Sequence, residues 1–108
     1  MAKRYRVDIA ATAERDIVAI RDHITVDNAV AAGKWVAAVT RQLASLESFP
    51  LRGAVIPEAR FLGAEYRQLL YGSYRTIYRV EDDRGLVVRV LHGARNLEQL
   101  NIGDPPSG

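Results

Sequence analysis

Apolar and polar residues alternate over residues 4–9, where Tyr5, Val7 and Ile9 interleave with Arg4, Arg6 and Asp8. A period of two reads as a short strand. The period then lengthens: Ile17, Ile20 and Ile24 recur at helical spacing, Thr12 stands in a capping position, and Glu14 and Asp16 bring negative charge to the first turn. Together these predict a helix over about 13–26. Asp27 or Asn28 offers a second cap. Val36, Val39, Leu43 and Leu46, widened by Trp35 and several alanines, predict a second helix over about 29–48. It must stop near Phe49, because Pro50 disfavours helical backbone in the residue before it. Two amphipathic helices on so short a connection fold back as an antiparallel hairpin.

Pro50, Gly53, Pro57 and Gly63 mark residues 50–63 as a loop with room for one short turn. From Glu65 the period of two returns. Strands are predicted at about 64–71, 74–81 and 86–92, separated by Gly72-Ser73 and by Asp82-Asp83-Arg84-Gly85. The order β-α-α-β-β-β predicts an α+β domain over residues 1–100: an N-terminal strand, then an antiparallel helical hairpin packed on a C-terminal three-strand antiparallel meander. The N-terminal strand is expected to join that sheet. Residues 101–108, with Gly103, Pro105 and Pro106, read as a flexible tail.

Alternation also sorts the strand side chains. Glu65, Arg67, Leu69 and Tyr71 share one face of their strand. Arg75, Ile77 and Arg79 share a face of the next, with Tyr74, Thr76, Tyr78 and Val80 on its reverse. The aromatic and β-branched sets are expected to meet the helices, and the arginine sets to line an open outer face.

Composition narrows the function classes. With 48% apolar and 26% charged residues, the chain is not globally disordered. The net charge of +2 is a slight basic excess, and nearly all of the basic residues are arginine, Lys3 and Lys34 being the two lysines. Arginine presents a fixed fork of donors suited to phosphate and carboxylate. The lack of cysteine excludes disulfides and thiolate metal sites and fits a cytoplasmic protein. No stretch approaches the roughly 18 apolar residues that span a bilayer, and no apolar run follows the charged start, so neither membrane nor signal peptide is expected. Metal-ligand spacings, a glycine-rich phosphate loop, a Ser-His-Asp order and a nucleotide fingerprint are all missing, so no metal and no cofactor is expected. Glu81-Asp82-Asp83 reads as a solvated hairpin turn. Arginines on one sheet face are commonly an ordinary wet surface; the alternative is a basic surface that positions phosphate. His92, at a strand end, is read first as a packed residue and second as a general base.

Residues 72–80 read Gly-Ser-Tyr-Arg-Thr-Ile-Tyr-Arg-Val, and residues 88–95 read Val-Arg-Val-Leu-His-Gly-Ala-Arg. This resembles the RelE/ParE toxin superfamily, in which a Tyr-Arg-x-x-Tyr strand is followed by a hydrophobic strand that ends near His or Gly and then Arg. The strand, helical hairpin and Pro/Gly loop that come first fit as well. The resemblance implies the toxin of a type II toxin–antitoxin, plasmid-stabilisation type system, which inhibits growth until a cognate antitoxin neutralises it. Arg75 matches the arginine that RelE-type ribonucleases use at the scissile phosphate, and Arg95 their second arginine; Arg67 would be a further catalytic cation, with Arg79 and His92 at the target-binding surface. RelE-type enzymes carry lysines on the strand before Tyr-Arg-x-x-Tyr, where only Arg67 is basic here, and a C-terminal tyrosine that residues 96–108 lack. These departures favour the ParE branch, whose toxins poison DNA gyrase. The alternatives are ribosome-dependent mRNA cleavage by Arg75 and Arg95, or an inactive module that only holds an antitoxin. The expected partners are the antitoxin and either gyrase or the ribosome with mRNA, in a hetero-oligomer or a homo-oligomer.

Overall fold

A computed structural model describes residues 3–93. The alternating stretch near the N-terminus forms strand β1, Arg6–Ile9. Helix α1 follows over Ala11–Asp27, with Ala13, Ile17, Ile20 and Ile24 turned into the core. Its N-cap is Ala10, without a side-chain cap. Thr12, expected to cap, is spent elsewhere: its hydroxyl donates to the Val88 carbonyl at 2.9 Å. Asn28 alone links α1 to helix α2, Ala29–Ser45, and caps it by accepting from the Ala31 N–H at 3.0 Å. Helix α2 ends three residues before the expected limit. The chain turns at 46–48 instead, and the Tyr5 N–H donates to the Glu47 carbonyl at 2.8 Å.

The segment 50–63, expected as loop, carries a two-residue strand β2, Ala54–Val55, and a one-turn helix α3, Ala59–Leu62. Strands β3 (Arg67–Tyr71), β4 (Tyr74–Glu81) and β5 (Arg84–His92) form the meander. Both hairpins have two-residue turns whose first residue is left-handed, Gly72 at φ 58 and Asp82 at φ 52. The sheet order is β1-β5-β4-β3-β2; β1 lies parallel to β5, with Arg6 opposite Arg84 and Ile9 opposite Val87. The expected α+β architecture is present, with β2 as an added edge strand.

One face of the sheet packs on the helices, with two departures from simple alternation: a bulge in β5 opposite Ile77 and Tyr78 turns Val87 and Val90 to the same side, and Leu69, expected outward with Arg67, joins them. Trp35, Val39, Leu43 and Leu46 of the hairpin and its exit turn meet Leu69, Tyr78, Val87 and Val90. The opposite face, expected to be open, is covered. Ile77, Val88 and Leu91 project from it and form a second apolar cluster with Ile56 and Tyr66, against which Ala59 and Leu62 pack. The cause is hydrophobic. Three strand side chains on that side would otherwise lie in water, and burial of each such side chain stabilises by roughly 1.5–3 kcal/mol.

Candidate functional site

The expected basic surface centres on Arg75. The Gly72-Ser73 turn sets the β3–β4 register, with Tyr71 opposite Tyr74, Leu70 opposite Arg75, Gln68 opposite Ile77 and Arg67 opposite Tyr78. Directly paired residues point the same way. Arg75 and Ile77 therefore share the outer face with Gln68 and Leu70, and Arg67 shares the side of Tyr78. The arrangement places Arg67 and Arg75 on opposite faces of the sheet, which corrects the expectation that both arginine sets face outward together.

Arg75 is only 6% exposed. Its guanidinium forks onto Glu58, Nη2 to Oε2 at 2.5 Å and Nη1 to Oε1 at 3.2 Å, and Nη1 also donates to Gln68 Oε1 at 3.1 Å. A two-point arginine–carboxylate contact of this kind is among the stronger polar interactions in proteins. Neither Glu58 nor Gln68 belonged to the expected site. Glu58 lies in an aperiodic segment, although the register fixed by the turn would have found Gln68.

Arg67 holds the covering segment from its other end. Its Nη1 donates to the Gly53 carbonyl at 2.8 Å and the Leu51 carbonyl at 3.3 Å, and Nη2 reaches Glu65 at 3.2 Å. Arg79 lies over the Tyr66 ring, 5.7 Å from its centroid, and pairs with Glu81. Glu81 also accepts from Arg84 at 2.7 Å, and Arg84 reaches Asp8 at 3.2 Å. The hydrogen bond from Arg84, helped by Arg79, holds the Glu81 carboxyl below the usual glutamate value.

His92 is exposed at the end of β5, opposite Tyr74. Its ring meets that of Tyr74 edge-on at 5.6 Å, and Tyr74 in turn meets Trp35 edge-on at 5.5 Å. Histidine therefore ends an aromatic row on the helix side, away from Arg75. Arg95, the second expected phosphate-binding arginine, and the tail at 101–108 lie outside the described residues. Among the described residues no three His, Asp or Glu side chains cluster as a metal would require, and no helix is long and apolar enough to cross a membrane.

A family model described as ParE toxin of type II toxin-antitoxin system, parDE, matches residues 7–97. Among solved structures, one chain of the chromosomal ParDE toxin–antitoxin system from P. aeruginosa is 21% identical, with a TM-score of 0.65, and the match covers 82% of this chain and 96% of that one. At that identity the likeness concerns the fold. A chain of the toxin–antitoxin complex RelBE2 from Mycobacterium tuberculosis is 26% identical, with a TM-score of 0.58, covering 82% of this chain and 98% of that one. No curated protein matches the chain.

Proposed function

Since the chain belongs to the ParE toxin family of type II toxin–antitoxin systems, we propose that it stops growth by binding a protein target, DNA gyrase, and that a cognate antitoxin holds it in check. The antitoxin is proposed because the solved neighbours are themselves toxin–antitoxin complexes. One observation carries the choice of binding over cleavage: the guanidinium of Arg75 is buried and matched by Glu58. A nuclease working through arginines needs them turned toward the phosphate, where charge develops. Here a phosphate would have to displace a half-buried carboxylate, and breaking a pair of this kind costs up to about 3–5 kcal/mol when both partners are fully buried. Arg67 offers no substitute, because it is engaged with backbone carbonyls on the other face.

Purified protein at micromolar concentration is expected to block DNA supercoiling by gyrase, and undiminished supercoiling would overturn the reading. The likeness to the RelBE2 chain favours a second one, ribosome-dependent mRNA cleavage using Arg75 and Arg95. It predicts A-site cuts by primer extension after induction, and more of them in Glu58→Gln, which removes the charge that Arg75 faces. No cuts in either protein would eliminate it.

A further inference from the structure

Among the described residues, the outward face of α1 takes no part in either apolar cluster. Ala13, Ile17, Ile20 and Ile24 point into the core, and Thr12 and Asp16 reach β5. At about 100° per residue, Ala11, Arg15, Val18, Asp22 and Val26 align on the other side. All five are exposed, Val18 at 45% and Val26 at 84%. A shallow depression of about 520 Å³ there is lined by Ala11, Glu14, Arg15, Val18, Ala19 and Asp22.

We propose that this face binds a second copy of the chain, α1 lying antiparallel to α1 about a two-fold axis that passes between Val18 and Ala19. The charge pattern selects this occupant and this orientation. A two-fold contact sets residue i of one copy against residue j of the other, and j against i. Arg15 and Asp22 stand equally far on either side of the axis, so each arginine meets the other copy's aspartate, twice over. Ala11 meets Val26 in the same way. The small side chain of Ala19 lets the helices approach at the centre, where Val18 supplies the apolar contact. On one flank Glu14 comes within about 3 Å of rise of Arg21 of the other copy. A parallel pairing would put Arg15 on Arg15 and Asp22 on Asp22, and like charges in contact are strongly unfavourable. Among the described residues neither Glu14 nor Arg15 has an ion-pair partner within the chain, whereas Asp22 pairs with its neighbour Arg21 at 2.9 Å, an exposed contact that Asp22 would share with or exchange for Arg15 of the other copy. One helix face is small beside the interfaces of permanent dimers, so the association is weak and salt-sensitive. It does not depend on which cellular target the toxin binds.

Sedimentation velocity on the full-length protein, over a micromolar concentration series at low and high salt, tests the proposal. A monomer–dimer equilibrium that weakens with salt is expected. Arg15→Glu and Asp22→Arg should each weaken it about tenfold, and the combined Arg15→Glu/Asp22→Arg variant should return to within about threefold of the original. These positions are exposed, so circular dichroism should be the same for every variant. A protein that stays monomeric, a dimer indifferent to either single reversal, or a double variant no tighter than the singles would overturn the proposal.

Discussion

At the level of single residues, Tyr78 joins parts that are distant in sequence. Its ring lies in the helix-side core; its hydroxyl donates to the Pro50 carbonyl at 2.8 Å and accepts from the Gly53 N–H at 3.0 Å. Tyr78→Phe should cost about 1–3 kcal/mol in urea unfolding, because it strands two buried backbone groups. Burial raises the phenol above the ordinary tyrosine value, against the opposing hydrogen bond from Gly53 and the nearby Arg67 and Arg52 charges. The folded state thus favours the neutral form. The contribution is whole below the unfolded tyrosine's value and is lost as pH rises through the raised one, so the alkaline limb of stability should flatten in Tyr78→Phe. Glycines give a paired test. A Cβ at Gly53 would stand 2.5 Å from the Gln68 carbonyl oxygen, whereas one at Gly33 in α2 would meet nothing. Gly53→Ala should destabilise markedly, and Gly33→Ala should stabilise by about 0.5–1 kcal/mol through helix propensity. The face on which Arg75 lies is readable from alternation alone. Its partner Glu58 is not, because a carboxylate in a segment without periodicity gives no sign of what it will lie against. Arg67 is harder to place: alternation within one strand gives relative sides, and the side of Tyr78 follows only once the hairpin register is used.

Secondary-structure elements in this fold end where side chains of their neighbours take over. Strand β1 covers β5 only as far as Val87. Beyond it, Thr12 bonds to the Val88 carbonyl, and Asp16, one turn along α1, accepts from the Val90 N–H at 3.0 Å and from Arg89 Nε at 2.6 Å. Gln42 of α2 does likewise for the Leu70 carbonyl of β3 at 2.8 Å. Exposed backbone on sheet edges invites pairing with other chains, and these contacts occupy it. Asp16→Ala should therefore cost about 2–3 kcal/mol and speed amide exchange at Val90, while Asp16→Asn, which keeps an acceptor, should lose less. Both helices and the three meander strands were legible from periodicity, and residue type narrowed the second cap to Asp27 or Asn28, of which the structure uses Asn28. The use of Thr12 and Asp16 was not, because capping and edge-covering call on the same residue types.

For the molecule as a whole, the chain of charges Asp8, Arg84, Glu81 and Arg79 ties β1, β5 and β4 together at one end of the sheet. Because Glu81 titrates below its ordinary value, its contribution is complete above the unfolded glutamate's value and is lost as pH falls through the lowered one. Thermal unfolding should show an acid limb that is shallower in Glu81→Gln. The alternation of arginines with Ile77 foretold a two-sided sheet but not its second cover, since that depends on where 50–64 returns after leaving α2. The parallel pairing of β1 with β5 has one more consequence, which concerns time. Arg6 waits for Arg84. A polypeptide made from its N-terminus holds its first strand from the outset and has nothing to set it against until residues 84–87 follow, and such long-range closures are slow. During synthesis the amphipathic helices must persist without the surface they were shaped to meet, and the sheet closes only once β5 has followed.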